Sequence, residues 1–216
     1  MNKGQLRNQV RIDIKDEKKP YFFTNEYLDR LFNEAETEAA RRALLLVDST
    51  SNVTSIDLSA GDSGADLDPS IIYVRRARLA STKRPLTPCV ARAMDEMIPS
   101  WEEDQASVPI RFVPDWQTGY IRLWPATRLA DRLSMTVVRK PLNAMVDDED
   151  EPEIREHYHL MLLDWVKHRC YAVQDFDLYD PKKSEAHKAE FVRNFGESRP
   201  LDEHWAQEQY YDVGAN

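Results

Sequence analysis

The chain has 216 residues and a net charge of −9, with 42% hydrophobic and 31% charged residues. That length allows one large domain or two small ones, and it is enough to bury a real core. The acidic balance excludes a protein that grips nucleic acid by its general surface, because phosphate neutralisation by Lys and Arg supplies most of such affinity.

Residues 5–14 carry Leu6, Val10 and Ile14 at helical spacing, which predicts a short helix with one apolar edge. Thr24 is placed to cap a helix after Tyr21-Phe22-Phe23. From 25 to about 47, Tyr27, Leu28, Leu31, Phe32, Ala35, Ala39, Ala43 and Leu46 share one face, which reads as core. Glu34, Glu36, Glu38, Arg41 and Arg42 fall mostly off it. Strand patterns follow at 55–58 and 71–80, with a short continuation at 83–86. A short helix is expected at 88–98, with Val90, Met94 and Met97 or Ile98 inward. Further strands at 109–113, 120–124 and 132–140 are separated by turns at 115–119 and 129–131, and Gly119 suits a positive φ.

The last structured stretch begins with the acid run Asp147-Asp148-Glu149-Asp150-Glu151 and Pro152. Ile154, Tyr158, Met161, Leu162, Trp165, Arg169, Ala172 and Val173 then recur at steps of three and four. The reading is a helix with Pro152 near its start and the acids at the favourable end of its dipole. Asp180-Pro181 opens a second helix that Gly196 stops. The predicted plan is α+β: a helical bundle with an inserted small antiparallel β-domain and an extended C-terminal arm. Its expected boundaries are 1–48 for the N-terminal helices, 49–146 for the β-rich insertion, 147–196 for the helical hairpin and 197–216 for the arm.

Catalytic signatures are sparse. The sequence has no Gly-rich phosphate loop, no Gly-x-Ser-x-Gly elbow and no Cys-x-x-Cys. Cys89 and Cys170 are far apart and read as reduced thiols. His157 and His159 would diverge on a helix, so they, with His168, His187 and His204, read as polar surface. The acid run could form a metal-binding carboxylate cluster, but five acids in one loop more often make a solvated, self-repelling segment. No cofactor and no metal are expected. Arg75, Arg76 and Arg78 lie on a predicted strand, with Arg76 and Arg78 on one face opposite Arg75. Arginine suits bidentate pairing with carboxylates, so a neighbouring acidic subunit or DNA is the expected contact. Trp205, Tyr210 and Tyr211 in the tail read either as binding anchors or as part of a tail that is disordered or folded back. The first residues contain no apolar signal region, and no run of about 18 apolar residues marks a membrane span.

The order of several stretches resembles a known family. They are Tyr21-Phe22-Phe23-Thr24-Asn25-Glu26-Tyr27-Leu28, Leu67-Asp68-Pro69-Ser70-Ile71-Ile72-Tyr73-Val74-Arg75-Arg76-Ala77-Arg78-Leu79, Gly119-Tyr120-Ile121-Arg122-Leu123-Trp124-Pro125, Arg139-Lys140-Pro141-Leu142, Pro152-Glu153-Ile154-Arg155-Glu156-His157-Tyr158-His159 and Tyr179-Asp180-Pro181. The chain resembles the head-to-tail adaptor (connector) proteins of tailed bacteriophages, of the tail tubular protein A type found in short-tailed phages. The resemblance implies a non-enzymatic virion protein, made in the host cytoplasm and placed at the head–tail junction. It implies a homo-oligomeric ring, usually a dodecamer, between the portal protein and the tail tube or nozzle, with DNA passing through the lumen and no membrane partner. It also gives Trp205, Tyr210 and Tyr211 a role as portal-binding anchors. The alternatives are a tail terminator or neck protein one layer lower, or a metal-dependent hydrolase using residues 147–151.

Overall fold

The computed structural model of the chain describes residues 1–174 and 177–198. In chain order its elements are α1 (Lys3–Ile14), α2 (Asn25–Ala43), β1 (Leu46–Asp48), β2 (Ser55–Leu58), β3 (Gly64–Asp66), β4 (Ile71–Leu79), β5 (Thr87–Pro88), α3 (Ala91–Met97), β6 (Arg111–Gln117), β7 (Tyr120–Trp124), β8 (Asp131–Arg139), α4 (Leu162–Tyr171) and α5 (Pro181–Phe195). Short 3-10 helices lie at Asn52–Thr54, Trp101–Glu103 and Glu156–Met161. The class is α+β, as the sequence pattern predicts. Two compact units form: Met1–Leu46 with Lys140–Ser198, and Val47–Arg139.

The first unit is built from α1, α2, α4 and α5 around one apolar cluster. Leu28, Leu31, Phe32, Ala35 and Ala39 of α2 are fully buried, in line with the helical stripe. Glu36 departs from the expected polar face and is buried. Its carboxylate accepts from the backbone amides of Glu153 and Ile154, so it caps chain that has no regular structure of its own. The helix ends at Ala43, short of the predicted end near 47. Leu44 takes a left-handed conformation, φ 52°, and the chain continues directly into β1. Pairing of β1 with β8 offers these backbone groups an alternative to another helical turn.

The predicted hairpin is half right. Asp180 caps α5 through the amides of Lys182 and Lys183, Pro181 opens it, and Gly196 ends it at φ 84°. Its partner starts later than expected: residues 156–161 form a 3-10 helix, and α4 begins only at Leu162. Pro152 and the acid run therefore do not open that helix. The acid run instead meets the start of α1, where Lys3 N–H donates to the Asp150 carbonyl at 2.7 Å and Gly4 N–H to the Asp148 carbonyl at 2.9 Å. These are two of the amides that a helix N-terminus leaves without internal partners. A Cβ on Gly4 would lie 3.3 Å from both Cβ and the carbonyl oxygen of Asp148, so the close approach favours glycine.

The second unit is a pair of four-stranded sheets. In one, β8 is central and pairs with β1, β2 and β4. In the other, the order is β3-β7-β6-β5. Both supply one core, with Ala77, Leu79, Leu133, Met135 and Val137 from the first and Phe112, Ile121 and Leu123 from the second. The β2–β8, β4–β8, β3–β7 and β6–β7 pairs are antiparallel and β5–β6 is parallel, so the insertion is mixed rather than purely antiparallel. The β6–β7 hairpin turns more tightly than predicted. Asp115 and Trp116 stay in the strand, and Gly119 at φ 73° makes the turn. In α3, Met94 is fully buried while Met97 is half-exposed, so Ile98 and not Met97 completes the inner face.

Candidate functional site

Strand β8 buries Leu133, Met135 and Val137 and turns Ser134 and Thr136 outward. Its register with β4 sets Arg78 opposite Ser134 and Arg76 opposite Thr136. Arg76 and Arg78 thus share one exposed face, as alternation predicts. Arg75 behaves differently. Strict alternation would turn it into the core beside Ala77, but the ladder shifts between Val74 and Arg76, and Arg75 is exposed as well. Such a bulge inserts an extra residue into one strand and re-aims its side chain.

Arg76, Arg78, Ser49, Ser134 and Thr136, with the edge of Met135, line a recess of about 200 Å³. The hydroxyls can donate or accept, and the guanidiniums only donate, so the recess is shaped for an anion. Among the described residues neither Arg76 nor Arg78 has an acidic partner, whereas nearby arginines do. Arg139 pairs with Asp48 at 2.6 Å and Arg132 with Asp57 at 2.7 Å. The Asp48–Arg139 pair is largely buried and ties the entry of the Val47–Arg139 segment to its exit. Burial alone would raise the Asp48 pKa. Hydrogen bonds from Thr50, Ser51 and Arg139 outweigh it and hold the carboxyl well below the usual range.

At the end of the other sheet, α3 leads into the single turn Trp101–Glu103. Trp101 is 2% exposed and donates from its indole to Asp95 at 2.9 Å. The Arg122 guanidinium lies 5.1 Å from the Trp101 ring and 4.7 Å from Trp116, and the two indoles meet edge to face. Trp124 donates to Asp104 at 2.9 Å. This stack fixes the turn and leaves Glu102 and Glu103 exposed at its tip, with no ion pair among the described residues.

The acid run is an organised turn, not a free solvated segment. Asp148 pairs with Arg7, and Asp150 accepts from the amides of Val146 and Asp147 at 2.7 and 2.8 Å. Those amides hold the Asp150 carboxyl below its ordinary pKa. Among the described residues, no group of three or more His, Cys, Asp or Glu side chains could hold a metal ion. His159 is also not surface. It is buried, with Nε2 2.9 Å from the Ile154 carbonyl and Nδ1 near the Met1 backbone. His168 is partly buried against Ser184, and burial lowers its pKa. His187 contacts Asp164 at 2.9 Å. Both cysteines are free thiols, and burial, aided by Asp16, pushes Cys170 up to about 12, far from a reactive thiolate.

Sequence reasoning missed an apolar recess of about 240 Å³ in the helical unit, lined by Phe22, Phe23, Thr24, Tyr27 and Val173. Its signal was the aromatic triplet before the cap, with Phe22 42% exposed. Trp205, Tyr210, Tyr211 and His204 lie outside the described residues. No helix among the described residues is long and apolar enough to cross a membrane.

Comparison with curated proteins finds no match. The family model of the SU10 adaptor protein matches residues 1–213, nearly the whole chain. The chain therefore belongs to the SU10 adaptor protein family, the structural adaptors of a bacteriophage virion.

Proposed function

We propose that the chain forms a ring, a dodecamer, that joins the portal to the tail tube or nozzle and lines the DNA passage. The family match over residues 1–213 carries this reading. The net charge of −9 supports it, since a channel that releases DNA gains from not binding it. The mechanism is mechanical. The four-helix unit supplies a stiff body, and the β unit supplies side contacts through Arg75, Arg76 and Arg78. Trp205, Tyr210 and Tyr211 act as portal anchors, as aromatic side chains commonly do at interfaces.

The test is a phage in which this gene is disrupted. The reading expects DNA-filled heads and separate tails by electron microscopy. Tailed, infectious particles lacking the protein would refute it. Deletion of residues 198–216 tests the anchor assignment, which falls if portal binding is unchanged.

A further inference from the structure

We propose that the Arg76–Arg78 recess receives Glu102 and Glu103 of a neighbouring copy of this chain, making the lateral contact of the ring. The inference rests on the ring reading above and names the side chains that close it.

A closed ring needs a heterologous interface, so each copy must present two different, complementary patches. The β unit presents both. One is the recess of about 200 Å³, with two guanidiniums and the Ser49, Ser134 and Thr136 hydroxyls. The other is the turn Trp101–Glu103, whose two adjacent carboxylates are exposed. Two guanidiniums on alternate residues of one strand match two carboxylates on one tight turn. Guanidinium–carboxylate pairs are the strongest class of charge-assisted hydrogen bond available here.

The unit's other acids are mostly spent internally. Asp48 and Asp57 pair with arginines, Asp131 accepts from Ser81 and Asp95 from Trp101. Glu102 and Glu103 are also held in place before any contact, because Trp101 is buried beneath them and its ring packs on Trp116 and Arg122. A preorganised anchor binds at lower entropic cost. Val108 and Ile110, 51% and 53% exposed, follow in sequence and add apolar surface near this edge. Copies of a chain with net charge −9 repel at long range, so side-by-side association requires local charge of opposite sign. The same net charge disfavours DNA as the occupant.

The experiment uses the full chain and follows ring formation, alone and on the portal ring of the same phage, by native mass spectrometry. Circular dichroism confirms that each variant is folded. R76E/R78E and E102R/E103R should each weaken assembly by at least about tenfold. The two variants mixed in equal amounts should assemble again, since every recess then faces a turn of opposite charge. The chain carrying all four changes should do likewise. Variants that assemble like the wild type overturn the pairing while leaving the ring intact. Loss in both variants without recovery in the mixture also overturns it. Recovery of R76E/R78E by charge reversal at Asp147 and Glu149 would overturn it in favour of the acid run. If R76E/R78E loses only DNA retention, the recess faces DNA and the proposal is wrong. Failure of the wild type to assemble in any condition sinks the ring reading and this contact together.

Discussion

Replacing Asp16 by Ala should destabilise the helical unit by about 3–5 kcal/mol, because it removes one half of a buried ion pair. Arg11 and Asp16 are 2.6 Å apart, with side chains 6% and 1% exposed. The Arg11 guanidinium also donates to the Phe23 carbonyl and to Asn25, and it lies 3.8 Å over the Tyr21 ring. Those contacts hold the charge in place but do not neutralise it. Asp16 further accepts from the amides of Phe22 at 2.7 Å and Phe23 at 3.3 Å, so its loss frees two more donors. Each is worth about 1 kcal/mol at most in this partly exposed turn, and the effects overlap. The assay is urea unfolding followed by circular dichroism at helical wavelengths. At a slope of about 1–2 kcal/mol/M the midpoint should fall by roughly 1.5–5 M. In the double variant R11M/D16A, at least about 1 kcal/mol should return, because the stranded charge is gone. A loss below about 1 kcal/mol for D16A would refute the reasoning, since it would mean that water reaches Arg11.

Three further outcomes are expected. Gly64→Ala should disrupt β3–β7 pairing, because the new Cβ would collide with the Ile121 carbonyl and the Tyr120 ring; hydrogen exchange in β3 should rise while that in α5 does not. Asp48→Asn should flatten the acid side of the β unit's stability profile. The folded pKa of Asp48 is depressed, so its contribution is full above the unfolded value of about 3.9 and is lost as pH falls towards the folded one. An unchanged profile below pH 4 would count against the Arg139 clasp. His168→Gln should remove a loss of stability that begins below about pH 6.5, because burial lowers the folded pKa and the unfolded chain then binds the extra proton. Equal slopes between about pH 6.5 and 5 in wild type and variant would contradict this.

Much of the fold was legible where local chemistry and tertiary packing agree. Asp180-Pro181 and Gly196 mark the ends of α5 because capping and backbone conformation act within a few residues. Tyr120–Trp124 reads as a strand because Gly119 and Pro125 punctuate it. The misses share a different cause: the deciding partner is far away in sequence. Glu36 lies off the helical stripe, and only the amides at 153 and 154 explain its burial. The acid run sits at a helix N-terminus, as its composition suggests, but the helix is α1. Arg75 is exposed through a bulge that depends on pairing with β8. For the site, the arginines could be named from the sequence. The hydroxyls of Ser49, Ser134 and Thr136 could not, because register alone brings them to Arg76 and Arg78.

The most direct test of the adaptor role is the particle mass of the purified chain, alone and mixed with the portal ring encoded nearby. The account predicts a complex in which one ring of this chain sits on the portal ring, whether or not a ring forms without it. A chain that stays monomeric and leaves the mass of the portal ring unchanged would contradict it.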